Sequence, residues 1–76
     1  MTLSQFLKGC TPQGNFHISY WEESDDCAPV KEEWFEYQDG GGRMLAWAKE
    51  NRLLSKKVQF VFCAGNGYLT IELWDN

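Results

Sequence analysis

The chain has 76 residues, 43% of them hydrophobic and 16% aromatic, and a net charge of −4. That length holds one domain, spanning 1–76, and that composition is too apolar for a disordered chain. Net acidity argues against direct nucleic-acid binding, and no apolar run approaches the ~20 residues of a membrane span.

Residues 2–9, TLSQFLKG, predict a short helix. Thr2 and Gln5 have the spacing of a capping box, and Gly9 suits a helix stop. Leu3, Phe6 and Leu7 fall on one side and are expected to dock on a sheet. After the break TPQGN, residues 16–22, FHISYWE, alternate as a half-buried strand with Phe16, Ile18 and Tyr20 inward. ESDDCAP reads as a loop, since Pro29 cannot sit in a central strand. VKEEWFEYQ resumes as a second strand, antiparallel to the first, with Phe35 and Tyr37 opposite Trp34 and Glu36.

Asp39 or one of the glycines after it starts the main helix, expected near 43–54 with Met44, Trp47, Ala48 and Leu54 on its inner side. KVQFVFC and YLTIELW are β-prone runs around Asn66-Gly67, a strong signal for a hairpin closed by a type I′ turn. Phe60 and Ile71 are expected in the core, with Tyr68, Thr70, Glu72 and Trp74 outward. The order αββαββ predicts a small α+β domain: a four-stranded antiparallel sheet with one main helix and a short N-terminal helix packed on it.

Three cysteines, Cys10, Cys27 and Cys63, are an odd number with no C-x-x-C pair. Neither a disulfide framework nor a zinc site is expected; buried, reduced thiols are. The N-terminus lacks the basic and apolar regions of a secretory signal, which points to the cytoplasm. Catalytic signatures are missing as well. The single histidine, His17, reads as a surface residue, and no phosphate-binding glycine loop or calcium loop is present. Adjacent exposed acids have no reason to differ in pKa as an acid–base pair must. The chain is therefore expected to be no enzyme and to need no cofactor or metal.

Charge is the informative feature. Residues 22–39 carry eight acids and Lys31, a net of −7, whereas residues 43–57 carry a net of +4. Crowded like charge destabilises neighbouring strands, and a cationic partner relieves that cost. The candidate partner-binding residues are Trp21, Glu22, Glu23, Asp25, Asp26, Glu32, Glu33, Trp34 and Glu36, aromatic anchors with an acidic rim. The blander alternative is a solvated loop balanced by the basic helix of the same molecule. The expected partner is a protein with a basic, nucleic-acid-handling surface, with oligomeric state open between monomer and dimer. In size, acidity and layout the chain resembles the small inhibitors made by phages and bacteria. That resemblance implies a phage anti-CRISPR protein acting in the host cytoplasm. An immunity protein or antitoxin against a nuclease, or a non-enzymatic assembly adaptor, are the alternatives.

Overall fold

A computed structural model describes residues 1–9, 14–22, 27–36 and 40–75. The elements run α1 (Leu3–Gly9), β1 (Phe16–Glu22), β2 (Lys31–Phe35), α2 (Gly40–Glu50), β3 (Lys57–Cys63) and β4 (Leu69–Asp75). Ahead of α1, Thr2 makes an isolated antiparallel bridge to Lys57. The capping box forms in both directions. Thr2 N–H donates to Gln5 Oε1 at 2.9 Å, and Gln5 N–H donates to Thr2 Oγ1 at 3.2 Å.

The four strands lie in the order β2-β1-β4-β3. Both hairpins, β1–β2 and β3–β4, are antiparallel, but the seam between them is parallel: Phe16 faces Leu69, and Tyr20 faces Leu73. The sheet is thus mixed, and the expectation of a purely antiparallel sheet is corrected. The reason lies in α2. A helix between two strands carries the chain back to the end it left, so β3 runs parallel to β2 and β4 parallel to β1.

The core lies on one side of this sheet. Phe16, Ile18 and Tyr20 from β1, Phe35 from β2, and Ile71 and Leu73 from β4 meet Leu3 of α1, Met44 and Ala48 of α2, and Leu53. Phe6, Leu7, Trp47, Leu54, Val58 and Leu69 pack around them. Arg43 ties α2 to the sheet. Its Nη1 donates to the Trp34 carbonyl at 3.2 Å, and its guanidinium lies 5.0 Å from the centre of the Phe35 ring.

Strand β3 corrects a second expectation. Val58 faces Leu73, yet Phe60 faces Glu72, so Gln59 is an extra residue in a β-bulge. One extra residue turns every later side chain to the opposite face. Val61 and Cys63 therefore point to the helix side, while Phe60, 56% exposed, and Phe62 turn away from it. Cys63 and Cys27 are exposed, so the expected burial does not hold for them, and Cys10 lies outside the described residues. The β3–β4 loop also departs from a type I′ turn. Gly65 and Gly67 hold positive φ (81° and 86°), Asn66 does not, and Asn66 Oδ1 accepts a hydrogen bond from Tyr68 N–H at 3.1 Å.

Helix α2 ends at Glu50, short of the expected 54. Leu53 N–H reaches back to the Ala48 carbonyl at 2.8 Å and Arg52 N–H to that of Lys49 at 3.2 Å, the bonding of a Schellman cap. Arg52 occupies the left-handed position at φ 59°, where glycine has no steric cost. Arg52→Gly should accordingly stabilise the fold by about 1 kcal/mol and raise Tm by roughly 4–8 °C in a thermal melt. A lower Tm would show that the arginine side chain contributes more than its backbone strain costs.

Candidate functional site

Because both helices pack on one side, alternation leaves the other side of the sheet without a covering element among the described residues. The strand registers arrange that open face in rows. Trp34, His17, Thr70 and Phe62 form one row, and Glu32, Ser19, Glu72 and Phe60 form the next. Beyond them Trp21 lies beside Trp74, which lies beside Lys57.

Large rings surround small polar residues in this arrangement. Ser19 and Thr70 are buried although they stand on the open side, because neighbouring side chains on one face are only ~5 Å apart and the rings lean over them. The Trp21 and Trp74 rings stack at 5.4 Å and the His17 and Trp34 rings at 4.3 Å. Three of the polar edges are tied down. Trp21 Nε1 donates to Ser19 Oγ at 3.0 Å, Trp74 Nε1 donates to Glu72 Oε1 at 3.1 Å, and the Tyr68 hydroxyl donates to Glu36. His17 Nε2 is shielded from solvent, has no hydrogen-bond partner, and lies 3.7 Å from Glu32 Oε2. His17 is thus half-buried beneath Trp34, rather than the surface histidine expected from its strand position.

The expected partner-binding residues divide between the faces. Trp21, Glu32 and Trp34 stand on the open face, and Glu36 joins them through its bond from Tyr68. Trp34 is 41% exposed and presents the free side of its ring; Trp21 is half-buried against Trp74. Glu22 is half-buried at the end of β1. Glu33 belongs to the helix side, 3.8 Å from Arg43. At that position the basic helix does answer the acidic hairpin, as the blander alternative supposes. Glu23, Asp25 and Asp26 lie outside the described residues.

Glu72, Trp74, Tyr68, Phe60 and Phe62 are additions to that set. Alternation in YLTIELW already turns Tyr68, Glu72 and Trp74 outward. The parallel seam then places Trp74 and Glu72 beside Trp21 and Ser19. For Phe60 and Phe62 the only signal is the bulge, which the residues do not announce.

Among the described residues, no group of three or more His, Cys, Asp or Glu is placed to hold a metal ion, and no helix is long and apolar enough to cross a membrane. This face offers ring surfaces for dispersion and cation–π contact, with carboxylates set between them. No protein-family model, no curated protein and no solved structure matches the chain.

Proposed function

We propose that this chain is a non-catalytic binding domain, an inhibitor that docks its open sheet face on a basic, nucleic-acid-handling surface of another protein. The observation that carries this reading is the β2 side of that face, where the exposed Trp34 ring stands between Glu32 and Glu36, with Glu72 two strands from Glu32. A guanidinium stacks on a tryptophan ring while a neighbouring carboxylate takes its N–H groups, and arginine is the residue that binds in both ways. Phosphates are repelled by the same carboxylates, which favours a protein partner over nucleic acid. A protein that holds nucleic acid in a positively charged channel offers the matching surface, and CRISPR effectors have such a channel. A phage-encoded inhibitor of such an effector is the most specific form of the proposal.

A generic cationic probe can stand in for the partner in a first test. An arginine-rich peptide, titrated against the protein and followed by tryptophan fluorescence, should bind at low salt. Binding should weaken as salt shortens the Debye length from about 10 Å at 0.1 M to about 3 Å at 1 M. Duplex DNA should not bind. Binding of DNA in place of the peptide would overturn the proposal.

A further inference from the structure

Strand β3 forms the second edge of the sheet. Its start is occupied, since Thr2 bridges Lys57 and Val58 N–H donates to the Met1 carbonyl at 2.9 Å. From Gln59 to Cys63 every residue is exposed, and Phe60, Val61 and Phe62 are large apolar side chains. An open edge offers backbone N–H and C=O groups to any passing strand, and proteins usually blunt it with charge or proline. Edge β2 is blunted in this way by Lys31, Glu32 and Glu33. Residues 59–63 carry neither charge nor proline.

We propose that this edge pairs with the same edge of a second copy, antiparallel about a two-fold axis at Val61, joining two four-stranded sheets into one of eight strands. In that register Val61 faces Val61 of the second copy on the helix side. Phe60 faces Phe62 of the second copy, and the reverse, on the open side; Gln59 faces Cys63. Such aromatic cross-strand pairs are favourable, and the two-fold axis makes the contact self-complementary. The pairing stops at Gln59 and Cys63, since Met1 and Thr2 hold the strand start.

Charge selects a second copy as the occupant. A chain of net charge −4 repels itself, but its acidic strand is the opposite edge, β2. Joining through β3 sets the two β2 strands about 34 Å apart, seven strand spacings, well beyond the ~8 Å Debye length at physiological salt. A basic partner strand would meet no carboxylate along residues 59–63, and an acidic one no cation. The contact shares Phe60 and Phe62 with the open face but uses none of Trp34, Glu32, Glu36 and Glu72, on which the proposed partner site rests. Trp34→Ala and Val61→Lys therefore test the two separately.

Five paired residues make a small interface, at or below the ~1,200 Å² lower bound of stable complexes, so the dimer should form at about 10–100 µM. Sedimentation equilibrium of the full chain in reductant should show the mass doubling across that range. Hydrogen exchange at residues 59–63 should slow as concentration rises. Val61→Lys would set two ammonium groups opposite each other, and this variant should remain a monomer with an unchanged circular dichroism spectrum. A monomer at every concentration overturns the proposal. So does a Val61→Lys protein that dimerises like the wild type, or a dimer lost only on Trp34→Ala, which would mean face-to-face stacking.

Discussion

Truncating Ile71 to alanine should cost about 2–5 kcal/mol, and Phe35→Ala about 3–5 kcal/mol, in urea unfolding. Ile71 is fully buried between Ile18 and Val61 on the adjacent strands, and Phe35 closes the core beneath Trp47 at 5.6 Å between ring centres. At 0.05–0.15 kcal/mol per residue a chain of this size has only about 4–11 kcal/mol of total stability. Either variant should therefore be partly unfolded at room temperature, with Tm lower by some 10–30 °C where a transition survives. Phe60→Ala is the contrast. Its ring is more than half exposed beyond the bulge, so truncation should cost less than about 1 kcal/mol. A Phe60 loss as large as that of Ile71 would mean that the bulge is absent and the ring packs beneath the helices.

The second large effect concerns binding. Trp34→Ala should weaken capture of the arginine-rich peptide by about 30-fold, the ~2 kcal/mol of an interface hot spot, mainly through faster dissociation. Its salt dependence should hardly change. Reversing Glu32 and Glu72 to lysine should act on the other rate, slowing association at low salt and flattening the salt dependence. Circular dichroism is the check on folding, because Glu72 also holds the Trp74 indole. Lys49→Glu, in the last turn of α2, is the matched control and should not weaken binding. If the Lys49 reversal abolishes capture while Trp34→Ala does not, the open face is not the binding surface.

Much of this architecture is legible in the residues, and the reasons are local. The Thr2–Gln5 box needs only a three-residue spacing, and period-two alternation sorts Phe16, Ile18 and Tyr20 from His17, Ser19 and Trp21 wherever the strand ends up. The illegible features depend on partners distant in the chain or on a single added residue. The parallel seam follows from the helix between the two hairpins, a topological consequence rather than a preference of any residue. The Gln59 bulge leaves no mark, because Lys57 to Cys63 reads equally well as a regular strand with Phe60 and Phe62 inward. In the acidic hairpin, alternation alone assigns the tryptophans and glutamates of the strands to faces, but it does not give their exposure. Trp21 loses much of its exposure to Trp74, and only the register between β1 and β4 reveals that neighbour.

The parallel seam also governs how the chain reaches this state. The two central strands are joined by contacts between residues as distant as 16 and 69. Closing so long a loop costs entropy before any of the seam's contacts are made, and folds dominated by such contacts form slowly. Each hairpin closes locally, yet neither has a neighbour for its central strand until the other is complete. A growing chain emerging from the ribosome can pair β1 with β2, but the other side of β1 has no neighbour until β4 is out. The seam should therefore form late, and until then the core side chains Phe16, Ile18, Tyr20 and Phe35 of the first hairpin lack their partners Ile71 and Leu73.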